Sequence, residues 1–144
     1  MIFKTEKNLI SYGEQLGNDL RRQLKQNDSP IVIELIGDVG AGKTTFTGSI
    51  AKGLGVKSPV TSPSFTISKQ YTFPIDNNTS GTLVHYDFYR LDDPGIMVED
   101  FAESISQKHT RTIIEWGQSV QNLLPEDHIS YTICINDDNS REVK

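Results

Sequence analysis

The stretch Gly37-Asp38-Val39-Gly40-Ala41-Gly42-Lys43-Thr44 has the spacing G-x-x-x-x-G-K-[ST], and it follows directly on the apolar run Ile31-Val32-Ile33-Glu34-Leu35-Ile36. A strand, a glycine loop and a helical pattern in that order bring the end of a strand up to a phosphate. The glycines let the backbone turn where a Cβ would obstruct, so that amide N–H groups reach phosphate oxygens. The loop then opens a helix whose first N–H groups have no partner of their own and whose dipole adds positive potential. Lys43 supplies a flexible full charge for β and γ phosphates, and the Thr44 hydroxyl is the expected inner ligand of Mg²⁺. A glycine turn ending in Lys-Thr by chance would lack the strand before it and the helical pattern after it.

The rest of the chain reads as the frame for that loop. Leu9, Tyr12, Leu16, Leu20 and Leu24 recur at three- and four-residue steps, with Thr5 placed to cap, and predict an amphipathic helix over 6–25. A strand over 31–36 precedes the loop, and a helix from about 43 ends at the Gly53 and Gly55 pair. A hydroxyl-rich loop, 58–66, leads into a strand over 65–72, and Pro74 through Gly81 forms a polar hairpin turn. Residues 82–90 are a strand by β-branched and aromatic content. Its period of two puts Val84, Tyr86 and Phe88 on one face and Leu83, His85, Asp87 and Tyr89 on the other. Asp92-Asp93-Pro94 starts a helical segment to about 105. Arg111 to Glu115 is a short buried strand, and Ile129 to Ile135 is the last alternating one. The expectation is one α/β domain over 1–144, with a mixed sheet flanked by helices.

Composition narrows the function. A formal charge of −5 over 144 residues argues against gripping nucleic acid alone, because counterion-release affinity needs a basic face. Any contact with RNA is expected to be shared with a more basic partner. One cysteine, Cys134, rules out a disulfide framework and fits a reducing cytoplasm. His85, His109 and His128 lack zinc-ligand spacing. Lys4, Glu6 and Lys7 stand where a signal peptide would be apolar, and no apolar stretch reaches membrane length.

A phosphate loop needs a metal-holding acid and a group that positions water before it can hydrolyse anything. In Thr112-Ile113-Ile114-Glu115 an apolar strand ends on a carboxylate, which delivers an acid to the edge of the sheet beside the phosphates. Asp87 stands similarly at the end of its strand. An isolated strand-end acid is ordinarily a cap or a surface charge; beside a phosphate loop the balance moves to function. Trp116 reads as packing near the nucleotide. Ser62, Ser64 and Thr66 either satisfy loop backbone or sense the γ-phosphate as a switch segment.

Four ordered segments, Gly37 to Phe46, Ser62-Pro63-Ser64-Phe65-Thr66, His85-Tyr86-Asp87-Phe88-Tyr89-Arg90 and Ile114-Glu115-Trp116, together closely resemble the TsaE family, formerly called YjeE. The resemblance spans nearly the whole chain. It implies a small bacterial ATPase with a P-loop NTPase fold, using ATP and Mg²⁺ and needed for threonylcarbamoyl modification of the adenosine next to the anticodon in tRNAs that read codons starting with A. It implies a transferase pair, TsaD and TsaB, that this chain binds and whose repeated turnover it supports, with tRNA met only through the complex and no membrane. It carries over Asp38, Val39, Gly40, Ala41 and Gly42 as the nucleotide cradle, Lys43 on the β and γ phosphates, and Thr44 and Glu115 as the Mg²⁺ ligands. Asp87 becomes the essential acid for water or metal, Thr45 touches the α-phosphate, Lys4 to Glu6 border the adenine, and Arg141 lies near the nucleotide. There are two departures. Met97-Val98-Glu99-Asp100-Phe101 stands where the family shows a glycine, and with the chain ending at Lys144 the closing strand is expected to be short or absent.

Rival readings fit less well. Asp92-Asp93-Pro94-Gly95 spells D-x-x-G, but it does not cap an apolar strand, and no N-K-x-D motif is present to read guanine. Five scattered arginines, Arg21, Arg22, Arg90, Arg111 and Arg141, do not make a kinase lid. A nucleotide-sensing module without useful turnover shares the same loop, as does a P-loop protein of another pathway, so both readings stay open.

Overall fold

The computed structural model of the chain describes residues 1–61, 63, 67–89, 95 and 97–144. In chain order the elements are β1 (Ile2–Phe3), α1 (Glu6–Gln23), β2 (Ile31–Ile36), α2 (Lys43–Leu54), β3 (Ser68–Pro74), β4 (Ser80–Asp87), α3 (Met97–Ser106), β5 (Thr110–Glu115), a 3₁₀ helix (Gly117–Leu123), β6 (Ile129–Ile135) and β7 (Arg141–Val143). Local chemistry starts and stops the first two helices. Extended Thr5 accepts from the Asn8 N–H with its side chain at the head of α1, satisfying one of the donors that a helix start leaves orphaned. Gly55, in the left-handed region, closes α2 and returns its N–H to the Lys52 carbonyl, a conformation that glycine adopts without steric cost.

The seven strands of the described residues join one sheet in the order β1-β7-β6-β2-β5-β4-β3. The strand leading into the phosphate loop, β2, lies inside, parallel to β5 on one side and to β6 on the other. β4 runs parallel to β5, while the β3 and β7 pairings are antiparallel, so the sheet is mixed as expected. Helices cover both faces. On one, α1 and α2 bury Leu9, Leu20, Phe46, Ile50 and Leu54 against Ile33, Leu35, Leu83, Ile113 and Ile133. On the other, Val32, Val84, Tyr86, Phe88 and Ile114 pack with Phe101 and Ile105 of α3 and Val120 of the 3₁₀ helix. The predicted alternation along β4 is therefore the division between the two cores.

Boundaries differ where short-range pairing outweighs composition. The hairpin turn is tighter than expected, because Pro74 pairs with Ser80 and Phe73 with Gly81 inside the ladder. Asp76 closes the five residues between by accepting from the Asn78 and Thr79 amides, each at 2.8 Å, an Asx turn. The regular part of β4 stops at Asp87, although Phe88 still donates to the Glu115 carbonyl. The closing strand is present and short: β7 pairs with β6 through Ile133↔Val143 and with β1 through Ile2↔Glu142. Neither β1 nor the 3₁₀ helix was expected. The hydroxyl-rich loop at Ser62 and at Ser64 to Thr66, the Arg90 end of β4 and the Asp92-Asp93-Pro94 start of the next helix lie outside the described residues. No helix among the described residues is long and apolar enough to cross a membrane.

Candidate phosphate-binding site

The loop between β2 and α2 takes its shape from its glycines for two different reasons. Gly40 and Gly42 have φ of 81° and 109°, in the region that side chains disfavour. Gly37 instead sits where a Cβ would come within 2.5 Å of the Ile133 carbonyl oxygen. The result points the first turn of α2 into a cleft of about 300 Å³ lined by Val39, Gly40, Gly42, Lys43, Thr44, Thr45, Asp87, Tyr89, Glu115 and Trp116.

Three parallel strands bring the charged groups there. Asp87 at the end of β4 is in register with Glu115 at the end of β5, which in turn neighbours Leu35 of β2. Lys43 folds back so that Nζ donates to the Gly37 and Asp38 carbonyls at 2.5 and 2.8 Å and lies 4.4 Å from the centre of the Trp116 ring, within cation–π range. Burial pulls its ammonium below the ordinary lysine value, and the carboxylates of Glu115, Asp87 and Asp38 oppose that shift. A phosphate entering the cleft thus meets a cation held by two neutral carbonyls and an indole, partners that a polyanion outcompetes.

Thr44 donates its hydroxyl to Glu115 Oε1 at 3.4 Å. Neighbouring ligands of an octahedral Mg²⁺ with its usual bond lengths lie about 2.9 Å apart, so this oxygen pair fits such an ion with a small adjustment. Glu115 is 2% exposed, and its other oxygen, Oε2, is 2.6 Å from Nε2 of the fully buried His85. Asp87 is half-buried, and its Oδ1 accepts from the Tyr89 amide at 2.9 Å. Trp116 has φ of 57°, turning the chain sharply just after Glu115, and its indole packs on the Tyr89 ring at 4.8 Å to form the far wall of the cleft.

The remaining expected site residues are placed less centrally. Asp38 lines a second, smaller cavity next to the cleft, with Trp116 shared between the two. Ala41 is buried beneath the loop. Arg141 lies beside the loop, with its Nε 3.9 Å from where a Cβ on Gly42 would be, and donates to the Asn139 carbonyl at 2.7 Å. Lys4 and Glu6 are exposed, outside the residues that line the cleft; Lys4 is near enough to Asp138, on the turn before β7, to help hold that carboxyl below its usual range, after the bonds it accepts from Ser140. Sequence reasoning passed over His85 and Tyr89. The available signal was period two, which puts both on the same face of β4 as Asp87.

The chain is similar over most of its length to known proteins. The family model described as "Threonylcarbamoyl adenosine biosynthesis protein TsaE" matches residues 3–143. The "tRNA threonylcarbamoyladenosine biosynthesis protein TsaE" of Bacillus subtilis is 36% identical over 113 residues, 78% of this chain and 66% of the relative's own length. Its counterpart from Haemophilus influenzae is 31% identical over 134 residues, covering 92% of this chain and 80% of that protein. The crystal structure of Bacillus subtilis YdiB superposes with a TM-score of 0.61 at 30% identity, over 90% of this chain and 77% of that one.

Proposed function

Because the chain belongs to the TsaE family, we propose that it is a Mg²⁺-dependent ATPase of the bacterial cytoplasm that supports repeated turnover in tRNA threonylcarbamoyladenosine modification, acting on a TsaD and TsaB transferase pair. The observation that carries the reading is the meeting of Lys43, Thr44, Asp87 and Glu115 around one cleft, with the Thr44 hydroxyl and Glu115 Oε1 3.4 Å apart. Phosphate-binding loops occur in many pathways; the two acids at adjacent strand ends favour hydrolysis over binding alone.

In this reading the amides from Val39 to Thr45 cradle the phosphates, and Lys43 exchanges its carbonyl partners for β and γ oxygens. Thr44 and Glu115 hold Mg²⁺, which when bound neutralises charge on the phosphates. Asp87 accepts a hydrogen bond from the attacking water and orients it toward the γ-phosphorus. The water oxygen bonds to phosphorus, the bridge to ADP breaks, and the water's proton passes to the released phosphate or to solvent. Trp116 and Tyr89 wall the cleft against bulk water. Arg141, beside Gly42, would lie near the nucleotide, and Lys4 and Glu6 would border the base, as the family resemblance implies.

The test is a reconstitution with a compatible TsaD and TsaB pair, tRNA and pre-made threonylcarbamoyl adenylate, followed over many turnovers alongside ATP consumption. The parent chain is expected to sustain both, and the chain carrying Lys43→Ala neither. If modification proceeds equally with the parent, with the substituted chain and with neither, while ATP still binds, the chain is a nucleotide-sensing module or serves another pathway.

A further inference from the structure

We propose that His85 is the positioning residue of this site: its buried imidazole holds the Glu115 carboxylate with one oxygen turned toward Thr44, so that the pair is pre-formed for a divalent cation. The inference rests on the reading of Thr44 and Glu115 as a metal pair and adds to it a group that never touches the metal. His85 is fully buried on β4, opposite Ile113 of β5 and two residues before Asp87, on the same face. Its Nε2 is 2.6 Å from Glu115 Oε2, while Thr44 approaches Oε1. The two carboxylate oxygens are therefore divided, one facing the interior and one facing the cleft.

The hydrogen-bond network assigns the proton. An ionised carboxylate only accepts, so Nε2 donates. Nδ1 is buried with no partner among the described residues, which suits an unprotonated nitrogen better than an N–H, whose burial without an acceptor is costly. A residue there only to fill space would be apolar, like Leu83 on the same face. An imidazole with one nitrogen left dry is sustained by a short charge-assisted bond to the carboxylate. Without it Glu115 can swing its free oxygen toward the Lys43 ammonium, which shares the cleft, and the oxygen pair facing Thr44 is lost. Groups that orient metal ligands from behind are typically worth about 10- to 100-fold in metal affinity.

The experiment measures binding of a non-hydrolysable ATP analogue by calorimetry at a series of free Mg²⁺ concentrations and in EDTA. It compares the parent with His85→Met, His85→Asn and His85→Gln. Gln carries an N–H close to the Nε2 position; Asn and Met do not. Complexation of Mg²⁺ by the analogue in solution is common to all four, so differences report the protein. We expect His85→Met and His85→Asn to need about tenfold more Mg²⁺ for half-maximal tightening, with affinity in EDTA unchanged and His85→Gln close to the parent. Parent-like Mg²⁺ dependence in the first two, or a His85→Gln chain as impaired as they are, overturns the assignment. A parent whose affinity ignores Mg²⁺ overturns the metal-pair reading itself, and the inference with it. Histidine-selective ¹⁵N NMR of the unsubstituted protein needs no folded variant. An Nε2–H tautomer at His85 is expected, and an Nδ1–H tautomer refutes the proposal.

Discussion

Asp87 and Glu115 are neighbours in register, yet their surroundings separate their work. Glu115 is buried and already engaged by His85 and Thr44, whereas Asp87 is half-exposed at the cleft wall, the place of a group that meets water. Asp87→Asn keeps size and removes the charge; ATP affinity is expected to stay within about threefold while hydrolysis falls by about 100-fold or more, the range for a lost acid–base or positioning group. Single-turnover rates beside binding isotherms decide it, and an unchanged rate would remove Asp87 from the chemistry. Away from the site, Tyr131 lies beneath the α1 layer with its ring edge-on to Phe46, and burial, with Tyr12 beside it, pushes its phenol up from 10.0 to about 12. The unfolded chain then releases this proton first, so the stability it contributes is whole below pH 10 and is lost as pH rises from there toward 12. Urea unfolding at pH 9 and pH 11 should show a smaller drop for Tyr131→Phe than for the parent; equal drops would refute the assignment. Lys43, Thr44 and Glu115 could be read from the chain because the loop has fixed spacing and a strand end has a fixed direction. The bond from His85 to Glu115 could not, since it depends on the register between two strands 30 residues apart.

The same contrast holds for whole elements. Long helices and the strands flanking β2 announce themselves through periodicity, and α1, β2, α2, β5 and β6 all stand within two residues of their expected bounds. Strands of two and three residues, β1 and β7, are too short to carry a period and exist through pairing with each other and with β6. How α1 meets α2 is also absent from the apolar pattern, because the closest approach is made by glycines. A Cβ on Gly17 would lie 2.0 Å from the Ile50 carbonyl oxygen, and one on Gly53 2.0 Å from that of Glu14. Backbone cannot move aside as a side chain can, so Gly17→Ala and Gly53→Ala are each expected to cost about 1–3 kcal/mol or more, as overpacking does. Gly48, on the same helix as Gly53, has nothing among the described residues within 4 Å of its Cβ position. There Gly48→Ala should stabilise by up to about 1 kcal/mol through helix propensity alone. Urea midpoints of the three variants test the packing: a destabilised Gly48→Ala, or a neutral Gly17→Ala, would contradict the helix contact described.

As a whole the molecule carries a net charge of −5 and a cleft that collects a cation and two acids, but the arginines among the described residues are placed for other ends. The Arg111 guanidinium, drawn down to about 10 by burial and so still charged at neutrality, donates to the Leu20 and Ser29 carbonyls, tying α1 to the sheet. Arg21 and Arg22 close α1. Arg141 borders Gly42 but is held by the Asn139 carbonyl and is not among the residues lining the cleft with Asp87 and Glu115; Arg90 lies outside the described residues. A cationic finger on the transferring phosphate is worth on the order of 10³ to 10⁵ in rate, and among the described residues no arginine lines the cleft. A partner with basic character would supply both the finger and the contact with tRNA that a net charge of −5 disfavours. Hydrolysis by the isolated chain is accordingly expected to be slow at saturating ATP and Mg²⁺, and to rise by tenfold or more when the TsaD and TsaB pair is added. The measurement is phosphate release with and without the pair, with Lys43→Ala as the control for contaminating activity. Turnover by the chain alone at about 1–100 s⁻¹, the range typical of kinases, would mean that the finger is already present, with Arg90 and Arg141 the residues to substitute next.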